Sequence, residues 1–512
     1  MRWLLLLAAL WGSESWSRSE PLTPLKEANY LSLPDSHDID QYLFSLAADN
    51  KQARMVALGH SAGGRPLYGL LISASPAFLQ HYQPDTDKAT VLVLAAQHGN
   101  EPAGAEAVQQ LASEFVAGRH LALLERLNLV LVAMANPDGR DLARRHNANN
   151  DNTNIDYVAM NAGETRLLVN ALNTFDPDLV YDAHESGIWK RVLTRQQGWL
   201  TDVEVQFEAG NNPNIDARLQ DYTSGFLLPA LIKQVNETGL RAERYRGEIT
   251  SLEQRVARGG LGITNLRNYA AMQGRVSVLV ESRLDNKGGD YVTPRNIAER
   301  VSKQYLALFS LLQLAAEDSE RLITVSRQAR QHWQAAGSGR MLSMDVHFAR
   351  NEAQPEVSIP LVRQADGQRR YHVFANHDAI IAREPVSLPP AYAITRERER
   401  MARWLQRHHI RFTTVRAPQV VHAGYIRITD VIPQPRVKPG VREKWRVQAD
   451  TQAGVATLGP GDLLVPMDQP LGPLAALMLD PRSANALYQE EGWHWLMPGH
   501  FPVFPVSPDG EF

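Results

Sequence analysis

Thr90-Val91-Leu92-Val93-Leu94-Ala95-Ala96-Gln97-His98-Gly99-Asn100-Glu101-Pro102 is the stretch on which the reading of the whole chain turns. Residues 90–94 have the composition of a buried strand. Beyond them Ala107, Val108, Leu111, Ala112 and Phe115 recur at helical spacing, and Pro102 suits the first helical position. His98 and Glu101 therefore fall in the turn between a strand and a helix. An imidazole and a carboxylate three residues apart can there face one metal ion, and both are ordinary zinc ligands. Such a pair is a common coincidence, so its weight rests on what else reaches the same place.

Three further apolar runs follow, at residues 127–135, 179–182 and 276–280. They are short, nearly continuous and rich in Val and Leu, and helical patterns such as residues 165–175 alternate with them. Strands buried on both faces of a mainly parallel sheet read in this way. Each run ends in candidate chemistry: Asn136-Pro137-Asp138-Gly139, then Asp182-Ala183-His184-Glu185, then Glu281-Ser282-Arg283. Ligands of open α/β sheets bind outside the carboxyl ends of the strands. One site accounts for polar groups gathered at that edge better than scattered coincidence does. The fold class expected is α/β, a mixed, mainly parallel sheet sandwiched by helices.

Upstream, residues 38–46 have helical character, and residues 55–58 and 67–73 read as strands. Their joint contains Gly59-His60-Ser61-Ala62-Gly63, the G-x-S-x-G pattern of a nucleophile elbow. An elbow needs a helix after the serine. Here Arg65-Pro66 leads into Leu67-Tyr68-Gly69-Leu70-Leu71-Ile72, so a glycine-rich hairpin is the better account of Ser61.

The 512 residues leave room for two or three domains, and 44% apolar with 21% charged residues is ordinary for a globular chain. A net charge of −3 provides no basic field for nucleic acid. Arg2, the apolar run at residues 3–11 and the small polar residues Gly12, Ser13, Ser15 and Ser17 form the pattern of a signal peptide over residues 1–17. An exported protein, periplasmic or secreted, is expected, without membrane attachment once the signal is removed. The chain has no Cys, so any metal must be held by His and carboxylate.

Residues 292–317 read as a long helix with Ile297, Val301, Tyr305, Leu308 and Leu312 on one face, closing a first domain over residues 36–317. From about Asp318 the texture changes to short β-like runs with many turn residues, giving a smaller β-rich or α/β domain over residues 318–512. Within it, residues 396–409 read as an amphipathic helix carrying Met401, Trp404 and Leu405, and residues 410–415 as a strand. His347 and His408-His409 read as structural.

Taken in order, His98-Gly99-Asn100-Glu101, Asn136-Pro137-Asp138-Gly139, Arg145 with Asn154, Asp182-Ala183-His184-Glu185 and Leu279-Val280-Glu281 resemble the zinc carboxypeptidase family. The resemblance implies one zinc ion per chain, with His98, Glu101 and His184 as ligands. It implies Glu281 as general base, Arg145 as the cation beside the scissile carbonyl, and Asn154 as a contact to the substrate's terminal carboxylate. One departure stands out. The family usually has Arg directly after that Asn, whereas this chain has Ile155, which cannot form a bidentate carboxylate clamp. Arg140, Arg191 and Arg283 are the guanidinium groups from other loops that could take its place. The activity expected from the resemblance is hydrolysis of peptide bonds, with a peptide as partner. The alternatives are a zinc deacylase or amidase acting on an N-acyl or cell-wall peptide, and a peptide-binding module without turnover.

Overall fold

Among the described residues up to 284 lie nine strands: β1 (Ala53–His60), β2 (Pro66–Ile72), β3 (Ala89–Ala95), β4 (Leu127–Val132), β5 (Leu179–Gly187), β6 (Trp199–Thr201), β7 (Val205–Ala209), β8 (Ala242–Arg244) and β9 (Val276–Leu284). Eight of them form one sheet in the order β1-β2-β4-β3-β5-β9-β7-β8. The computed structural model describes residues 20–48, 50–187, 189–284, 296–335, 340–434 and 443–507, and the expected signal segment at 1–17 lies outside them. The centre of the sheet, β4-β3-β5-β9, is parallel throughout. The β1–β2 hairpin and β7 join it antiparallel, so the sheet is mixed, as the alternation of apolar runs and helical patterns predicts.

Every residue of β3 and β4 is buried, which is why both read as apolar runs broken only by Thr90 and Asn128. Helices Ala103–Val116, Gly163–Phe175 and Ile297–Glu317 supply apolar residues to the same core, among them Leu111, Phe115, Leu168, Leu172, Leu308 and Leu312. The last helix begins at Ile297; the start expected at 292 lies outside the described residues. One difference from expectation follows it. Ser319–Ala335, placed where β-like texture was expected, is a helix. Its buried residues Ser319, Leu322, Ile323, Ser326 and Ala329 are few and partly small, a stripe too narrow to read through the many Arg and Gln around it.

The remaining strands run from β10 (Met341–Ala349), β11 (Glu356–Arg363), β12 (Arg369–Ala375) and β13 (Ala379–Ser387) to β14 (Ala391–Ile394), β15 (Thr413–Thr414), β16 (Gln419–Pro433), β17 (Trp445–Leu458), β18 (Leu463–Pro466), β19 (Gly499–His500) and β20 (Val503–Ser507). Residues β14 to β20 make a seven-stranded antiparallel sheet dominated by the long β16–β17 ribbon. The expected strand at residues 410–415 is reduced to the two residues of β15.

This β-rich region is not a separate appendage. β11 pairs with β6, giving a small sheet β12-β11-β6 that joins the two parts of the chain. Helix Arg398–Arg407 buries Met401, Trp404 and Leu405 as its pattern predicts, and they belong to the same apolar cluster as Ile39 and Leu92. Two contacts from its end reach back into the first part. Trp404 Nε1 donates to the Val158 carbonyl at 2.8 Å, and His408 Nε2 to the same carbonyl at 3.0 Å. His408 is fully buried, and its Nδ1 accepts from the Tyr269 hydroxyl at 2.9 Å. The neutral imidazole therefore satisfies both of its nitrogens. Burial accordingly pulls its pKa down to about 3, so His408 is a neutral tie between the two parts of the chain.

Candidate metal centre and its pocket

The chain turns sharply as β3 ends, with Ala96 in the left-handed region at φ 54°, and this delivers Gln97 and His98 below the sheet edge. Gly99 then lies against the turn that opens at Asn136. A Cβ at Gly99 would fall 1.9 Å from the Gly139 carbonyl carbon, so no other residue fits. The two motifs, 40 residues apart in sequence, are packed backbone to backbone.

His98, Glu101 and His184 converge there, all buried, with one candidate ligand atom from each lying within 4.8 Å of the others. His98 Nδ1 lies 2.9 Å from Glu101 Oε1, His184 Nδ1 lies 2.9 Å from Glu101 Oε2, and the two Nδ1 atoms are 3.1 Å apart. The opposite nitrogens lie beside oxygens: His98 Nε2 is hydrogen-bonded to Asn152 Oδ1 at 3.2 Å, and His184 Nε2 lies at ion-pair distance, 3.0 Å, from Asp182 Oδ1 without forming an aligned hydrogen bond. Outer oxygens of this kind fix the imidazole tautomer and turn the lone pair inward. Two inward lone pairs and a carboxylate cannot face one another stably without a cation or protons among them. Burial works against protonation of His184, but Asp182 and Glu101 outweigh it and hold the imidazole well above its usual range. Burial likewise pushes Glu101 up, but His98 and His184 reverse it and hold the carboxyl well below its usual range. Two neutral imidazoles and one carboxylate with an open side are a donor set that fits zinc.

The scaffold behind the centre is equally polar. Gln97 Nε2 donates to Asp182 Oδ1 at 2.6 Å and the Tyr157 hydroxyl donates to Gln97 Oε1 at 2.8 Å. Glu185 receives Arg300 through Nε at 2.8 Å and Nη2 at 3.0 Å, both residues buried, while Gln304 Nε2 donates to the His184 carbonyl at 2.7 Å. Arg300 and Gln304 were not foreseen. Their signal was present as polar residues at helical spacing inside the buried face of Ile297–Glu317.

Glu281 is the register partner of His184 across the parallel β5–β9 pair, so the two side chains rise from the same face of the sheet. Burial, opposed by His184, pushes its carboxyl up to about 7 in the metal-free protein. Arg145 Nη1 lies 3.0 Å from Glu101 Oε1 and the side chain is about half exposed over the centre. Arg145 lines the pocket and Arg144 does not. Asn154 lines it too, and its buried Oδ1 has no hydrogen-bond partner.

The replacements considered for the missing clamp lie elsewhere. Ile155 is half exposed and outside the pocket lining. Arg140 is buried in a 2.5 Å ion pair with Glu106 and two bonds to the Pro34 carbonyl. Arg191 does not line the cavity, and Arg283 faces a neighbouring one that shares Glu281. What completes the cavity of about 260 Å³ is a wall from residues 186–267, including Lys190, Tyr245 and Arg267. Ser61, the elbow serine, donates to Asp138 Oδ1 at 2.8 Å and accepts from Arg65 N at 2.9 Å. It staples the β1–β2 hairpin to the Asn136 turn, the structural role its sequence context predicts.

Comparison with known proteins agrees with this geometry. Residues 39–188 match the family described as zinc carboxypeptidase. Carboxypeptidase 2 of Trichophyton rubrum is 25% identical over 281 residues, covering 53% of this chain and 51% of that protein. Carboxypeptidase 2 of Trichophyton tonsurans is 25% identical over 275 residues, covering 53% and 50%. The chain thus spans about half the length of the curated relatives it matches. Among solved structures, a metallo-carboxypeptidase from Pseudomonas aeruginosa aligns at 17% identity and TM-score 0.42, over 57% of this chain and 71% of that one. Carboxypeptidase A from Helicoverpa armigera aligns at 15% identity and TM-score 0.43, over 57% and 75%. His98, Glu101 and His184, which converge in the structure, all lie within residues 39–188, the span that is similar to the zinc carboxypeptidase family.

Proposed function

We propose that this protein is a zinc-dependent peptidase that cleaves peptide amides in the pocket above His98, Glu101 and His184. The observation that carries the reading is the inward convergence of two imidazole Nδ1 atoms and a carboxylate, with Glu281 in register beside them. Zinc, when bound by those three residues, supplies Lewis acidity that lowers the pKa of water and polarises a carbonyl. Glu281, in register beside His184, takes the proton of the attacking water and passes it to the leaving amine. Arg145, a fixed cation over the centre, faces the oxyanion as it develops and needs no proton transfer to do so. Asn154 contributes a substrate contact from the same wall.

Residues 36–317 are proposed as the catalytic part and 318–512 as the part that braces its pocket wall. The β6–β11 pairing and the bonds of Trp404 and His408 to Val158 support the bracing role. Export is proposed from the charged and apolar pattern of residues 1–17. Among the described residues no helix is long and apolar enough to cross a membrane.

The test is metal content and hydrolysis of blocked peptides by the wild-type protein and Glu281→Gln. The expected result is one zinc in each and hydrolysis only in the wild type. Protein without zinc would sink the reading, and zinc without turnover on any substrate would establish a binding module instead. Ile155 favours a second reading, a deacylase or amidase, and N-acyl amino acids assayed beside the peptides separate the two.

A further inference from the structure

Arg267 stands on the short helix Leu266–Met272, is 3% exposed and lines the same pocket as Arg145 and Asn154. Its Nη2 donates to the Gly260 carbonyl at 2.7 Å and to Asn211 Oδ1 at 3.2 Å, while its buried Nε has no partner. Among the described residues, no carboxylate lies within ion-pair distance of it. Glu208, the acid whose field it feels most, is already held by Arg258 at 2.9 Å and Arg244 at 3.2 Å. Two guanidinium groups thus hold this buried carboxylate, and Arg267, the one that lines the pocket, is not paired with it. The chain also makes room for it. A Cβ at Gly259 would fall 2.1 Å from Arg267 Nη1, so the guanidinium is laid against bare backbone and held in place.

A buried charge without a counter-charge is unfavourable, and such groups gather where a ligand completes them. The complement of a planar guanidinium is a carboxylate, which it can grip through two parallel donors. The position where a clamp was expected holds Ile155, half exposed and away from the cavity. We propose that Arg267 is the carboxylate receiver of this pocket, binding the carboxylate of the substrate residue that is released. The assignment rests on the peptidase reading above and adds to it the substrate class: peptides presenting a carboxylate, either terminal or on an acidic side chain.

Three peptides separate the sources: acetyl-Ala-Gln with a free terminus, acetyl-Ala-Glu amide and acetyl-Ala-Gln amide. Their binding to the metal-free wild-type protein, Arg267→Gln and Arg267→Lys is measured by calorimetry, and KM and kcat by hydrolysis with zinc bound. Arg267→Gln is expected to weaken binding of one carboxylate-bearing peptide, and raise its KM, at least tenfold. It leaves the doubly uncharged peptide unaffected, and Arg267→Lys recovers part of the loss. Loss on the free acid assigns the terminal carboxylate, and loss on the glutamyl amide assigns the side chain. Gly259→Ala, which displaces the guanidinium without removing its charge, gives the same selective loss and serves if Arg267→Gln does not fold. Equal binding of all three peptides by the wild-type protein and by the variants that fold would overturn the proposal. The calorimetry does so without reference to turnover, so absence of hydrolysis by the zinc-loaded wild type refutes the peptidase reading alone.

Discussion

His408 offers a sharp test of how the two parts of the chain are joined. Burial holds its folded pKa at about 3 against 6.5 for the exposed residue, so between those values the unfolded chain binds more protons. Stability from this group is therefore complete above pH 6.5 and is lost as the pH falls through that value towards 3. Integrating the two titrations gives a loss of about 2 kcal/mol between pH 7 and pH 5, and of about 5 kcal/mol once both forms are protonated. His408→Gln removes the titration while retaining an amide that can donate to Val158. Equilibrium urea unfolding of both proteins, followed by tryptophan fluorescence from pH 7.5 to 5, isolates the term because all other titrations are shared. The wild type is expected to lose about 2 kcal/mol more than the variant over this range. Parallel pH profiles would refute the argument, since they would mean that His408 carries the same charge folded and unfolded.

Three further outcomes follow from the site. Asp182→Asn weakens the acceptor 3.0 Å from His184 Nε2 and should lower zinc affinity about 10- to 100-fold, read by chelator competition. Gly99→Ala places a methyl 1.9 Å from the Gly139 carbonyl carbon, so it should abolish zinc binding or folding, distinguished by circular dichroism and metal analysis. Ser61→Ala breaks the hairpin staple at a cost of about 1–3 kcal/mol in stability, seen by denaturation, but leaves kcat on peptides unchanged; a loss of turnover in folded protein would revive Ser61 as a nucleophile.

What could be read from the sequence divides along a physical line. His98, Glu101, His184 and Glu281 stand immediately after or within apolar runs, and a parallel sheet forces the ends of such runs together, so their meeting follows from local pattern. Ser61 could be judged because the residues after it could not form the helix an elbow requires. Arg267, Lys190 and Tyr245 had no such cue. They reach the pocket through a wall whose course depends on distant packing, such as Leu193 and Ile249 against Leu361 and Phe374. The β16–β17 ribbon was hidden for another reason: long stretches of it are open on both faces, so its polarity does not alternate cleanly.

The carbonyl of Val158 accepts bonds from side chains 246 and 250 residues further along the chain. A nascent chain that has emerged only as far as residue 317 contains every candidate zinc ligand and Glu281, yet the loop that carries Asn152 and Asn154 still lacks its clasp. Closures over such separations come late, because the entropy of the intervening chain must be lost before the contact rewards it. The bonds to the Val158 carbonyl therefore form only after residues 404–408 have emerged, later than every candidate zinc ligand and Glu281.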